Sequence, residues 1–185
     1  MLESQRDKFE LPRAVCYLNA AAWSPLPIAG QQAGIAGVAR KGKPWLLDRD
    51  LQHTQHERTR AAAAALINAA PRDVALISSV GYGVAIAGKI LDIPKGSRVL
   101  VLEEDHTSPV LEWLTRAPAQ GFSVDTVRRP VDGDWTAAVL DAIARPGAPV
   151  ALASISSVHW SDGGLVDLAR VGAALKAKGA MLLVD

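Results

Sequence analysis

Four polar positions in the C-terminal half of this 185-residue chain carry the residue types that acid–base and anion chemistry uses. Asp185 closes the apolar run Met181-Leu182-Leu183-Val184. A carboxylate at the C-terminal end of a buried strand stands in the crevice where open α/β sheets bind ligands. His106 follows the apolar run Arg98 to Leu102 and the acidic triplet Glu103-Glu104-Asp105. An imidazole there stacks on a planar heterocycle, moves a proton, or simply sits in solvent. Ser78-Ser79-Val80-Gly81-Tyr82-Gly83 opens an apolar helical stretch. Amides at a helix start bind phosphate where glycine lets the anion approach; the same residues also suit a plain strand-to-helix turn. The fourth position is the loop Ser156 to Gly164, with His159, Trp160, Asp162 and two glycines, which is either a binding loop or a connection with a packing tryptophan. Each position follows a strand-like run, so the four are predicted to converge on one edge of a sheet. That convergence says more than any one of them. Glu103, Glu104 and Asp105 read as a mostly solvated cluster. His53 and His56 are spaced i, i+3 among Gln52, Gln55, Glu57 and Arg58, which reads as a solvated helix face, and no metal site is predicted.

The elements that must position these groups alternate regularly. Strands are predicted at Val74 to Ser78, Arg98 to Leu102, Gly121 to Val127, Val150 to Ile155 and Met181 to Val184. Helices are predicted between them at Tyr82 to Leu91, from a Ser108 cap with Pro109 at the first helical position, from an Asp134 cap to Arg145, and at Val166 to Lys178. Leu168, Val171 and Leu175 share one face of the last helix, and Gly179 stands at its C′ position. Apolar strands joined by single helices predict an α/β fold, a mainly parallel sheet with helices on both faces. The first seventy residues differ. A small-residue loop, Tyr17 to Pro27, precedes helices at about Ile28 to Lys41 and Leu51 to Ala69, joined near Gly42-Lys43-Pro44.

Composition narrows the class. With 49% hydrophobic and 21% charged residues the chain is ordinary globular material, and a net charge of +1 offers no footprint for nucleic acid or an anionic membrane surface. The single cysteine, Cys16, rules out an internal disulfide framework. The N-terminus is charged and lacks the apolar segment of a secretory signal, and the Ala61 to Ala70 run is too short to span a membrane. A cytoplasmic protein is predicted.

Several segments carry a family likeness when taken in order. Tyr17-Leu18-Asn19-Ala20-Ala21-Ala22-Trp23-Ser24-Pro25-Leu26-Pro27 is similar to a "YLNNAA…SPLP" opening. Ser79 to Gly83 occupies the place of a phosphate-cup turn, and Glu104 to Pro109 with Trp113 matches an "EHxSNxxPW" stretch. Val158 to Gly163 with Asp167-Leu168 matches "VxxxxGxxxDL" and its "VHWTDG" form. Through these segments the chain, from Tyr17 to Asp185, resembles the N-terminal part of class V aminotransferase-fold enzymes. These are fold type I pyridoxal-phosphate enzymes, among them cysteine desulfurases, selenocysteine lyases and isopenicillin N epimerase-like proteins.

The resemblance implies pyridoxal 5′-phosphate as cofactor, an amino acid as substrate and a homodimer as the full-length form. It implies phosphate contacts from Val80, Gly81 and Tyr82, ring stacking by His106, a place for Trp160 near the cofactor, and Asp185 paired with the pyridine nitrogen. Asn19, Ala21 and Ala22 fall near the substrate, so residues 1–27 are expected to be a segment beside the substrate site and residues 28–185 an incomplete cofactor-binding large domain. The family's Schiff-base lysine lies past the aspartate, and none of this chain's lysines matches it. The implied catalytic set of the chain alone is therefore empty, and transamination, racemisation or elimination would belong to a longer protein. Pro109 stands where the family has Asn, and Trp160 where the desulfurases have Asn, which points away from desulfurase chemistry. Two other readings compete. In one, Gly81-x-Gly83 with Glu103 or Glu104 about twenty residues on marks an NAD(P)-dependent oxidoreductase with a Rossmann-like domain, although Ile86 holds the place of the third glycine. In the other, the chain is a non-catalytic truncated fragment with exposed apolar surface.

Overall fold

The computed structural model describes residues 3–185, which divide into two compact units, one running to Leu76 and the other Ile77–Asp185. In the first unit, helices α1 (Ile28–Lys41) and α2 (Leu51–Leu66) follow a largely irregular N-terminal segment. That segment is tied by the Arg6 guanidinium to the carbonyls of Pro12 and Val15, and by the Tyr17 hydroxyl to the Trp23 carbonyl at 2.8 Å. α2 buries Ala64 and holds its own unit together through Arg60, which donates to the Val74 carbonyl and to Glu57.

The second unit runs α3 (Val80–Ile90), β1 (Arg98–Leu102), α4 (Thr107–Gln120), β2 (Ser123–Val127), α5 (Trp135–Ala144), β3 (Val150–Ile155), α6 (Leu168–Ala177) and β4 (Met181–Val184). The strands form one parallel sheet in the order β2-β1-β3-β4. Alternation along the strands divides the core. Leu100, Leu102, Ala153 and Ile155 pack with α5 and α6 through Trp135, Val139, Val171 and Leu175. Val99, Val101 and Leu152 face α3 and α4 through Val84 and Trp113. Helices therefore cover both faces, and every residue of β1 is buried, which explains the unbroken apolar run Val99 to Leu102. α6 ends as its glycine predicts. Gly179 adopts φ 70°, its amide donates to the Lys176 carbonyl, and the Ala180 amide donates to the Leu175 carbonyl.

Two local expectations change. Val74 to Ser78 is not a strand: it has no ladder partner among the described residues, and extended backbone becomes sheet only where an edge accepts its hydrogen bonds. α4 begins two residues earlier than the Ser108-Pro109 pair suggested, with His106 as its N-cap and Pro109 inside the first turn. First-turn amides have no intrahelical acceptor, so proline is tolerated there at more than one position.

Candidate functional site

The strand order creates a switch point. From β1 the chain crosses by α4 to β2 on one side, and from β3 it crosses by α6 to β4 on the other. Connections that leave adjacent strands in opposite directions open a crevice at their carboxyl ends, which is where such sheets bind ligands. The loops after β1 and β3 meet there. Asp105 accepts from the Ser156 hydroxyl at 2.7 Å, the Ser156 amide at 3.2 Å and the His106 amide at 2.8 Å. The neighbouring Ile155 carbonyl accepts the Asp185 amide at 3.1 Å. Two consecutive residues of the β3 end thus link the approach to His106 with Asp185. The imidazole of His106 is exposed, and its ring meets Trp160 edge-on, centroids 6.1 Å apart and planes at 87°.

Gly81 belongs to the same region. It lines a cavity of about 260 Å³ with Thr107, Ser108, Leu111, Glu112 and Thr115, so the start of α3 faces the start of α4 immediately after His106. Ser79 caps α3 by accepting the Tyr82 amide at 3.1 Å. The space where a Cβ on Gly81 would stand is open.

Beneath this surface the β3 loop is organised around His159, which is fully buried and stacked on Trp135 at 4.6 Å. Its Nε2–H donates to the Glu103 carbonyl at 2.9 Å, because a carbonyl can only accept; Nδ1 lies 3.3 Å from the Ser161 hydroxyl and 3.1 Å from Asp162. Asp162 also accepts the Gly164 amide at 2.8 Å and the Trp135 indole at 3.1 Å. The Gly164 amide is the main cause that holds the Asp162 carboxyl below its ordinary acidity range, against the opposing effect of burial, with the Trp135 indole, His159 and Arg129 adding to it. Glu103 is lowered as well, chiefly by the Arg129 amide and the Arg128 guanidinium. Arg129 completes the network with Glu104 at 2.8 Å and Ser161 at 2.7 Å.

The structure brings Gly81, His106, Trp160 and Asp185 to the carboxyl end of one sheet in one unit. Asn19, Ala21 and Ala22 are exposed residues of the other unit. The acidic triplet is not a free solvated cluster, since Glu103 and Asp105 are half-buried and all three residues are bonded. Arg129, Trp135 and the buried role of His159 escaped the sequence reading. One signal was available: Arg128-Arg129 directly follows β2, the acidic triplet directly follows β1, and the ends of adjacent parallel strands lie side by side. His53 and His56 are exposed on α2 beside an open cleft that also involves Arg60, Arg72 and Asp73. Among the described residues no group of three or more His, Cys, Asp or Glu is placed to hold a metal, and no helix is long and apolar enough to cross a membrane. The dinucleotide reading loses its context, because no strand precedes Gly81 among the described residues.

Comparison with known proteins places this geometry. A family profile described as aminotransferase class-V matches residues 49–185. Kynureninase of Salinispora tropica is 28% identical over 162 residues, covering 83% of this chain and 36% of that protein. Cysteine desulfurase IscS of Pseudomonas fluorescens is 29% identical over 132 residues, covering 70% of this chain and 32% of that protein. Among solved structures, a C-DES variant with glycine covalently linked to the PLP cofactor superposes with a TM-score of 0.76 at 20% identity, over 99% of this chain and 49% of that one. The cysteine desulfurase CsdA of Escherichia coli gives 0.78 at 20% identity, over 97% of this chain and 47% of that one. The present chain therefore spans well under half the length of these curated relatives and just under half of these structures. At such identities the structural likeness establishes the fold.

Proposed function

Since this chain belongs to the class V aminotransferase family, we propose that the crevice at the carboxyl ends of β1, β3 and β4 is a pyridoxal 5′-phosphate site of a protein that acts on an amino acid. The donor set suits that cofactor. It calls for an anion cup, a partner for a flat ring and a carboxylate at the ring nitrogen. Val80 and Gly81 offer amides at the start of an eleven-residue helix, with open space at the Gly81 Cα; Tyr82, whose amide Ser79 takes, offers its phenol. His106 supplies an exposed imidazole and Asp185 the carboxylate. Bound there, the cofactor supplies an electron sink for bonds at the amino acid's Cα.

The residues then divide the work. Val80 and Gly81 hold the phosphate, His106 covers the ring, and Asp185 keeps a proton on the pyridine nitrogen. Trp160 takes part through its ring, since its Nε1–H donates to the Glu104 carbonyl at 2.7 Å. The Asn19, Ala21 and Ala22 segment is proposed from its sequence as substrate-contacting. The full-length protein is proposed to be a cytoplasmic homodimer that performs transamination, racemisation or elimination.

One observation carries the reading: Gly81 shares a cavity with the two residues that follow His106, while Ile155 and Ser156 tie Asp185 to the residue that precedes it. Binding of pyridoxamine 5′-phosphate, an amine that forms no Schiff base with surface lysines, tests it by equilibrium dialysis. Saturable one-to-one binding is expected, and Asp185→Asn should weaken it by about tenfold, the loss of one charge-assisted contact. Absence of saturable binding, or an unchanged affinity in D185N, overturns the proposal.

A further inference from the structure

Glu104 has φ 56°. Left-handed backbone is costly for a residue with a Cβ and lacks, in Glu, the short side chain that lets Asn or Asp adopt it; such a residue persists where its surroundings over-determine it. The surroundings here are unusual in their order. Three consecutive residues after β1 are each held by a donor from the β3 loop. His159 Nε2–H takes the Glu103 carbonyl at 2.9 Å, Trp160 Nε1–H takes the Glu104 carbonyl at 2.7 Å, and the Ser156 hydroxyl takes the Asp105 carboxylate at 2.7 Å. The fourth residue is His106. Trp160 is 65% exposed, so burial does not account for its position, yet its only side-chain N–H is committed to the left-handed residue and its ring meets His106 edge-on.

We infer that Trp160 is a positioning residue for His106: through the Glu104 carbonyl it holds the left-handed turn that sets where the imidazole is presented, with buried His159 as the second anchor. Trp160 acts on the cofactor site through another residue as well as by its own ring. The consequence for binding rests on the cofactor reading above; the consequence for the loop does not.

The test is a rescue. Trp160→Phe keeps a ring beside His106 and removes the N–H donor. Hydrogen exchange of the His106 amide should quicken about fivefold, as the loss of one neutral hydrogen bond allows. Pyridoxamine 5′-phosphate affinity should fall by a similar factor. Glu104→Gly, which accepts positive φ without steric cost, should return both quantities toward their original values in the W160F background. A residue that merely stabilised the fold would show no such rescue. Unchanged exchange in W160F, or failure of E104G to restore it, overturns the inference. Glu104→Gly alone is the second variant, independent of how W160F folds. It is read against Glu104→Ala, which loses the same Arg129 contact but keeps the Cβ. Exchange at His106 should be slower in E104G than in E104A, and the reverse order overturns the inference too. A protein that binds no pyridoxamine phosphate would defeat the cofactor reading, and the exchange measurements would still decide the positioning.

Discussion

At Asp162 one carboxylate accepts an amide, an indole N–H and the approach of Arg129, and the Gly164 amide leads in holding its acidity below the ordinary range. The sign of the stability effect follows. A group whose folded-state pKa is depressed contributes stability above its unfolded pKa and loses it as pH falls through the folded one. Asp162→Asn is therefore expected to be less stable than the parent at neutral pH, with the gap closing as pH drops below the ordinary carboxylate range. Urea midpoints at a series of pH values check this, and a gap that persists into acid would contradict it. Glu103, lowered chiefly by the Arg129 amide, adds to the same acid limb. His106, Gly81 and Asp185 were legible as site candidates because each stands beside a boundary between an apolar run and a loop. Arg129 was not, because its partners lie 25 and 32 residues away and nothing in a local window names them. His159 was visible only as an aromatic ring in a loop; its burial depends on Trp135 from another helix.

The helices and strands each carry their own signals, and these mostly held. Asp134 was expected to cap α5, and its carboxylate does accept the Ala137 amide at 2.9 Å. Asp134→Ala should cost about 1 kcal/mol in thermal or urea unfolding. The exceptions come from elements whose ends are settled by neighbours. His106, not Ser108, caps α4 because the β3 loop anchors Asp105, and Val74 to Ser78 joins neither edge of the sheet, β2 or β4. At the opposite end of the sheet β1 starts with a buried cation. Arg98 is paired with Asp125 at 2.6 Å and donates to the carbonyls of Ala148 and Arg145. Asp125→Ala leaves that guanidinium buried with carbonyl partners alone, and a loss of roughly 2–3 kcal/mol is expected. Because this pair lies at the amino end of the strands, D125A should leave cofactor affinity unchanged in whatever fraction stays folded.

Across the whole molecule, large apolar side chains remain exposed in both units, among them Trp45 and Val38 in the first and Ile90 and Leu165 in the second. Contiguous apolar surface is what association buries, and the proposed homodimer would cover side chains of this kind. Sedimentation equilibrium should show self-association as concentration rises, and a strictly monomeric profile would count against the dimer. The sequence by itself determined that the chain is α/β, where β1 to β4 and most helices lie, and that its polar groups gather at strand ends. Those properties are local: burial on both faces writes an unbroken apolar run, and caps and glycines mark helix ends within a few residues. Only the tertiary structure decided that β1 sits beside β3 rather than at an edge, and with it the position of the crevice. It also decided that Val74 to Ser78 has no strand partner among the described residues, and that donors from the β3 loop hold the turn before His106. Strand neighbours and donor–acceptor pairs join residues dozens of positions apart, and a residue's own surroundings in the chain do not specify which distant group it will meet.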